Sequence, residues 1–352
     1  MKKADKEFLK RLLSAPGASS FESKPAALWR EQAQTWQAEV SIDSYGNSFA
    51  HFRTAKATKA SSVPRFMLAG HIDEIGLIIS YIDDEGLLYF KGIGGWDVQQ
   101  LIGQRVRIVG YRQECLGVIG KKPIHLMSAD DRKKIPEMEH LWIDIGAKNG
   151  KEAKQYVRAG DFAVIEQPYI ELLGERIVSK AIDNRIGAYI VLEAARRAAA
   201  LDVAAEVVAV ATVQEEIGGI GAYVASYRLE PDYGVAVDVT HATDVPGVNK
   251  KQEGDTPLGS GVQLTAGSYV HRETLAQFIQ AAEEASLPYS LGTAPRNTYT
   301  DADDMAKNRH GVPTVVLSVP NRYMHSPNEM IDLADVEVVI SLIVAGIARL
   351  AA

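Results

Sequence analysis

The chain contains a single cysteine, Cys115, so it cannot form a disulfide bond within itself. This cysteine usage is typical of a reducing compartment, and we expect a cytoplasmic protein in which Cys115 packs as a small hydrophobic residue on a strand. The chain also lacks any tract of clustered lysine and arginine, and its net charge is -7. Neither a nucleic acid nor a membrane is therefore an expected partner, because both attract proteins through a basic surface.

Long apolar runs are missing as well. The longest mostly apolar stretch, 338–348, is well short of the roughly 18 residues that a membrane span needs, and it predicts a buried helix near the C-terminus. Residues 1–13 mix lysines with Asp5 and Glu7, which is typical of an amphipathic helix and not of a signal peptide. A further helix is predicted to start at Ser23, with this serine as its capping residue. The length of 352 residues and the 46% hydrophobic share are those of a soluble protein with two domains.

The order of the sequence patterns predicts an α/β fold. From residue 185 onward, helical patterns alternate with β-branched apolar runs, which predicts a mostly parallel sheet with helices on both faces. Residues 74–166 differ, because short runs separated by turns replace the helical periods and predict a small β-rich domain. We therefore expect one α/β domain made of residues 1–73 and 167–352, interrupted by an inserted β-rich domain at 74–166.

Residues of metal-ligand type follow several of the apolar runs that predict strands. Four residues follow such a run: His71 follows 66–70, Glu216 follows 207–213, Asp238 follows 235–237, and His325 comes shortly after 315–319. Because the carboxyl ends of parallel strands share one edge of a sheet, we expect these side chains to converge there. A fifth such residue, Asp183, lies at a predicted helix start, where an isolated aspartate is most often a helix cap.

Together these residues fit a site for two divalent metal ions. Such a site needs a carboxylate between the ions, imidazole and carboxylate ligands around them, and an open position for water. Glu215 and Glu216 are adjacent, so their side chains point in different directions, and one can bind metal while the other acts as a general base. Asp73 comes two residues after His71, where its carboxylate can accept the ring N–H that faces away from the metal and so orient the histidine.

Other chemistries are not indicated. The sequence has no nucleophile elbow of the Gly-x-Ser-x-Gly type and no phosphate-binding loop. The adjacent acids Glu215 and Glu216 cannot flank a glycosidic bond from opposite sides, which argues against a glycosidase. We expect the remaining histidines to be structural or solvated, although His241 lies only three residues after Asp238.

Five segments together resemble the tetrahedral (TET) aminopeptidases of metallopeptidase family 42, which include glutamyl and deblocking aminopeptidases. These segments are 71–76, 181–185, 214–218, 238–241 and 322–327, and 94–97 and 143–147 in the predicted insert are similar too. The resemblance implies a zinc-peptidase-like catalytic domain that binds two zinc or cobalt ions per subunit. Asp183 would bridge them, with His71 and Asp238 on one ion and Glu216 and His325 on the other. It also implies that Glu215 is the general base and that Asp73 is the acid behind His71.

The resemblance further implies that the insert forms dimer contacts and that the dimers assemble into a hollow dodecamer. We expect an aminopeptidase that hydrolyses the N-terminal residue from peptides with a metal-bound water activated by Glu215. Two alternatives remain: an N-acyl amino acid deacylase with the same metal site, and a non-catalytic oligomeric peptide-binding protein. The preferred N-terminal residue stays open, because Ile220 replaces the arginine of many relatives and 297–299 replace expected glycines.

Overall fold

The structure is a computed structural model and describes residues 3–54, 56–57 and 63–352. In chain order, its first helices and strands are α1 (Lys3–Ser14), α2 (Ser23–Thr35), β1 (Glu39–Ile42), β2 (Ser48–Arg53), β3 (Arg65–His71), β4 (Gly76–Ile82), β5 (Leu88–Ile93), α3 (Val98–Leu101), β6 (Arg105–Val109), β7 (Glu114–Gly120), β8 (Trp142–Asp144), α4 (Gly150–Tyr156) and β9 (Phe162–Ile165). They are followed by β10 (Ile170–Glu171), β11 (Arg176–Ser179), α5 (Ile182–Ala198), β12 (Glu206–Thr212), α6 (Ile220–Leu229), β13 (Tyr233–His241), α7 (Lys250–Glu253), β14 (Val262–Gly267), α8 (Arg272–Glu284), β15 (Tyr289–Ala294), α9 (Ala302–Ala306), β16 (Thr314–Asn321), β17 (Glu329–Asp332) and α10 (Leu333–Leu350).

Eight of the described strands form a central sheet in the order β1-β2-β12-β3-β13-β16-β14-β15. The four middle strands, β12, β3, β13 and β16, are parallel to one another. The strand next to this centre on each side runs the other way, because β2 pairs antiparallel with β12 and β14 pairs antiparallel with β16. The prediction of a mostly parallel sheet thus holds for the centre, while the sheet as a whole is mixed.

The apolar runs that predicted strands lie in the middle of this sheet. Every residue of β12 and of β16 is buried, so both faces of the sheet are covered. Helix α5 packs against β3, β12 and β13. Its approach requires a glycine, because a Cβ on Gly70 would lie 2.5 Å from the carbonyl carbon of Gly187. Asp238 follows the apolar run 235–237 and still lies within β13, which continues to His241 because residues 234–241 all pair with β16.

A small closed barrel occupies the part of the chain that was predicted to be β-rich. Its strands are arranged in the order β4-β5-β8-β7-β6-β9. Alternate residues point inward, as Val106 and Ile108 do on β6, and they fill the barrel with an apolar cluster that also contains Leu77 and Ile143. This cluster is separate from the apolar core that surrounds the central sheet.

Residues 17–22 connect α1 to α2, and we call them the N-terminal loop. The loop pairs with the segment after β3, since the Glu74 N–H donates to the Gly17 carbonyl at 3.1 Å. It also contacts the barrel, where the Phe21 ring stacks on Phe162 with centroids 4.4 Å apart. The predicted capping role of Ser23 is wrong, because Ser23 is already helical. The preceding residue, Glu22, does not cap α2 with its side chain either.

The long helical patterns correspond to α5, α6, α8 and α10, and the N-terminal pattern corresponds to α1, apart from residues 1–2, which lie outside the described residues. Strands β14 and β15 were not predicted. In β15 polar and small residues replace the apolar run, and only its last residue is buried. Cys115 lies on β7, as expected, and is partly buried. Among the described helices, none combines the length and the apolar character that a membrane crossing requires.

Candidate metal centre

Carboxylate and imidazole side chains meet beyond the carboxyl ends of the parallel strands. His71 is the last residue of β3, and Asp238 lies near the end of β13. Glu215 and Glu216 belong to a short 3-10 turn that follows β12. His325 lies in the connection between β16 and β17, and Asp183 comes from the first turn of α5. The structure therefore brings together the side chains that the sequence singled out.

Asp183 lies between the two histidines. Its Oδ1 is 3.2 Å from His71 Nε2, and its Oδ2 is 3.4 Å from His325 Nε2. Each histidine has a further acid beside it: Asp238 Oδ1 is 3.9 Å from His71 Nε2, and Glu216 Oε2 is 3.3 Å from His325 Nε2. Ligand atoms of His71, Asp183 and Glu216 lie within 4.8 Å of one another. The Asp183 carboxylate thus lies between two pairs of side chains, His71 with Asp238 and His325 with Glu216. It faces each pair with one of its oxygens.

The backbone around Asp183 explains why this side chain is not a helix cap. Asp183 and Asn184 have non-helical backbone angles, and Asn184, not Asp183, caps the regular part of α5, because its Oδ1 accepts the N–H of Gly187 at 3.0 Å. The Asp183 N–H donates to Glu329 Oε2 at 2.9 Å, and Asn184 Nδ2 donates to the carbonyl of Val237 at 2.7 Å. Because neighbouring groups satisfy the backbone, the carboxylate of Asp183 is left to face the histidines.

Residues 214–216 form what we call the acid turn. Asp73 holds this turn, since its Oδ1 accepts the N–H of Glu215 and its Oδ2 accepts the N–H of Glu216, both at 3.2 Å. The two adjacent acids point to different histidines, because Glu215 Oε2 lies 3.6 Å from His71 Nε2 whereas Glu216 contacts His325. Asp73 also approaches His71 directly, with Oδ1 3.4 Å from Nδ1.

The cluster holds more negative charge than its surroundings compensate. Burial, together with the neighbouring carboxylates, raises the pKa of Glu215 and of Asp238 well above the usual range. Burial and the charge of Asp183 raise the pKa of Glu216 as well. Burial disfavours a charged His325, but its contacts with Asp183 and Glu216 raise its pKa to about 11. Protons or cations are therefore needed to neutralise these acids.

The same side chains fit a divalent cation in their chemistry. Imidazole nitrogens and carboxylate oxygens are the ligands that zinc and similar transition metals prefer. Glu216 Oε1 is buried and has no hydrogen-bond partner among the described residues. A buried carboxylate oxygen without a donor is costly, and a bound cation would satisfy it.

Sequence reasoning missed two buried acids. Glu329 supports both sides of the cluster, because Oε2 accepts the N–H of Asp183 and Oε1 accepts the N–H of His325, each at 2.9 Å. Its position four residues after His325 was the available signal. Asp301 accepts a hydrogen bond from Thr212 Oγ1 at 2.5 Å, and burial raises its pKa to about 6. The loop sequence around Asp301 gives no signal of this role.

A cavity of about 670 Å³ opens onto the cluster. Residues 297–300 form part of its wall, as do His241, which was expected to be structural or solvated, and the ion pair between Asp304 and Lys307, whose atoms are 2.7 Å apart. The barrel contributes to the wall through Gly95, where a Cβ would lie only 3.3 Å from His325 Nδ1. The segment that departs from the family pattern thus lines the cavity beside the candidate metal ligands.

Comparisons with known proteins agree with this fold. The family model described as M42 glutamyl aminopeptidase matches residues 52–342. The chain is 36% identical over 342 residues to the lysyl aminopeptidase of Pyrococcus furiosus, covering 96% of this chain and 95% of that protein. The TET aminopeptidase from a marine sediment Thaumarchaeota archaeon has a TM-score of 0.92 at 35% identity, covering 99% of this chain and 96% of that one. The TET1 peptidase of Pyrococcus horikoshii, which can assemble into a tetrahedron or a large octahedral shell, has a TM-score of 0.82 at 30% identity, covering 97% and 98%.

The chain therefore belongs to the M42 family of peptidases. The resemblance inferred from the short segments is confirmed, and the chain is a peptidase whose relatives act as aminopeptidases. Membership of this family also implies the use of divalent metal.

Proposed function

We propose that this chain is a dinuclear-metal aminopeptidase that hydrolyses the first peptide bond of peptides with a free amino terminus. The observation that carries the proposal is the placement of Asp183, which presents one carboxylate oxygen to each of two histidines. Two ions that share one carboxylate, each with its own imidazole, are typical of metal-dependent peptide hydrolysis.

In this proposal the ligands divide between two zinc or cobalt ions. His71 and Asp238 would hold one ion, Glu216 and His325 would hold the other, and Asp183 would be shared by both. The 3.9 Å between Asp238 and His71 and the 3.3 Å between Glu216 and His325 support this division. When bound, such ions polarise a carbonyl group and lower the pKa of water, and they stabilise the negative charge that develops during attack.

Glu215 is the proposed general base. It takes the proton from the attacking water and later passes it to the amine that leaves. Its carboxylate borders the cavity and lies beside His71. Because Glu215 is not one of the proposed metal ligands, its oxygens stay available to accept a proton. Asp73 keeps Glu215 in this place by accepting its backbone N–H.

We also propose that residues 1–73 and 167–352 form the catalytic domain and that 74–166 form the domain through which dimers associate. The barrel segment between β7 and β8 exposes several large apolar side chains, among them Ile124, Leu126 and Ile135, which supports a contact surface. In this proposal the protein is cytoplasmic and its dimers assemble into a dodecamer. A similar solved structure that is described as a dodecamer supports this assembly.

The test is a comparison of free and blocked substrates. The purified protein is supplied with zinc, cobalt or manganese and assayed on a panel of aminoacyl peptides and on their N-acetylated forms. We expect release of the first residue from the free peptides only. Preference for the acetylated forms would favour a deacylase. Absence of both turnover and bound metal would favour a non-catalytic peptide-binding protein.

A further inference from the structure

Four consecutive backbone N–H groups at the end of β12 donate to side chains from distant parts of the chain. The N–H of Val213 donates to Asn47 Oδ1 at 3.0 Å, and the N–H of Gln214 donates to Glu22 Oε1 at 3.2 Å. The N–H groups of Glu215 and Glu216 donate to Oδ1 and Oδ2 of Asp73, also at 3.2 Å. Among the described residues, no strand pairs with this stretch, because the ladder of β12 ends at Thr212. The path of the acid turn is therefore set by side-chain acceptors.

Glu22 is the acceptor that belongs to the N-terminal loop. It is buried, and its Oε1 accepts both the N–H of Ser20 at 2.6 Å and the N–H of Gln214 at 3.2 Å. Gln214 has a φ of 59°, a left-handed conformation that is unfavourable for a residue with a side chain. The bond from Glu22 holds this conformation directly before Glu215.

Ser19 acts on the same turn from a second direction. Its hydroxyl is buried and donates to Asp73 Oδ2 at 2.7 Å, the oxygen that accepts the N–H of Glu216. The loop that carries Ser19 and Glu22 is fixed in turn by Glu74, whose side chain accepts the N–H of Gly17 and pairs with the buried Arg185. The N-terminal loop is thus held by Glu74, and it contacts the acid turn through Glu22 and, by way of Asp73, through Ser19.

We propose that Glu22 and Ser19 are positioning residues for the peptidase reaction, because they fix the acid turn and thereby the directions in which Glu215 and Glu216 point. This inference rests on the proposed function of those two acids. Neither Glu22 nor Ser19 lines the cavity, so they act through the turn and not on the substrate.

The test compares E22A with E22Q in the full-length, metal-supplemented protein. The alanine variant leaves the Gln214 N–H without its acceptor, whereas the glutamine variant keeps an oxygen in the same place. We expect E22A to lower kcat by about 10- to 100-fold with KM changed less than about twofold, because a small misplacement of a reacting group is costly. E22Q should stay within about threefold of the unmodified protein, and S19A should fall between the two.

A second measurement does not depend on activity. Amide hydrogen exchange of residues 213–217 should become at least about tenfold faster in E22A and stay unchanged in E22Q, while α2 remains as protected as before. Equal losses of kcat in E22A and E22Q, an unchanged kcat in E22A, or faster exchange throughout α2 would overturn the proposal. If the unmodified protein cleaves no peptide, the proposed function fails, whereas the exchange data still decide whether Glu22 fixes the turn.

Discussion

The two histidines of the metal centre are held in different ways. His71 ends β3, and its side chain is only 1% exposed. His325 lies in a loop, has a φ of 57°, and its side chain is 35% exposed. We call His71 and Asp238 the inner half of the site, because strands place both of them. Glu216 and His325 form the outer half, which lies on connections between strands.

This difference shows what each half depends on. The inner half follows from backbone ladders: β3 pairs with β12 up to His71, and β13 pairs with β16 at Asp238. The hydrogen bonds of these ladders join backbone groups and not side chains. The outer half depends on single hydrogen bonds to side chains. Asp73 accepts the N–H of Glu216, and Glu329 accepts the N–H of His325. Strand ends therefore supply a fixed frame, while loops complete the site.

Replacing each of the two adjacent acids separates the proposed base, Glu215, from a proposed ligand of the outer half, Glu216, and it should give the largest effect. E215Q removes the proposed base beside His71, so we expect kcat to fall by about 10²- to 10⁴-fold. The metal content should remain unchanged, because Glu215 is not a proposed ligand. E216Q should instead lower the metal content of the outer half.

Steady-state kinetics and metal analysis of the purified variants check this prediction. Glu273→Gln, at an exposed position in the first turn of α8 and away from the cavity, makes the same change of side chain and serves as the control. Activity of E215Q within about tenfold of the unmodified protein would contradict the role of Glu215. A loss of metal in E215Q equal to that in E216Q would remove the distinction between the two acids.

The inner half could be predicted from sequence because each residue adjoins its own strand. The run 66–70 places His71, and the run 235–237 places Asp238. Strand-end geometry applies to any parallel sheet, so no knowledge of loop conformation was needed. Even the contact of Asp73 with His71 follows from the two-residue spacing.

The outer half could not be predicted in the same detail. The path of the acid turn depends on a left-handed Gln214 and on acceptors 142 to 192 residues earlier in the chain. No local pattern encodes such contacts. For the same reason, Glu329 was missed, and the closing of the β-rich region into a barrel, which brings Gly95 to His325, was not foreseen.

Glu329 offers a way to weaken the outer half more than the inner half. E329A removes the acceptor for the N–H groups of His325 and of the shared Asp183, so we expect the ion of the outer half to lose about 10- to 100-fold in affinity and the ion of the inner half to lose less. E329Q keeps one accepting oxygen and should show an intermediate loss. Chelator titration with metal analysis measures both affinities. Simultaneous loss of both ions with one affinity would show that the halves are not independent.

Proton release sharpens the comparison by measuring the charge of the whole cluster. Without a cation, burial and the neighbouring carboxylates raise the pKa values of Glu215, Glu216 and Asp238, so these side chains keep their protons to a higher pH than free carboxyl groups do. Metal binding must displace these protons, so the apparent affinity should fall as pH falls, by about tenfold per pH unit for each proton released. Calorimetry in two buffers of different ionisation enthalpy counts the protons. A pH-independent affinity would contradict the raised pKa values.

The smallest effect is expected outside both halves, at the cavity wall. Asp304 and Lys307 form an ion pair there, and half of the Lys307 side chain is exposed. D304N frees the lysine, so kcat/KM for a substrate with an acidic first residue should rise relative to a basic one. K307Q frees the aspartate and should shift the ratio the other way. Exposed ion pairs contribute at most about 1 kcal/mol, which limits either shift to about two- to fivefold. If both variants shift the ratio in the same direction, the pair acts on the shape of the cavity wall and not through its charge. A shift much larger than fivefold would mean that the substrate side chain binds this pair directly.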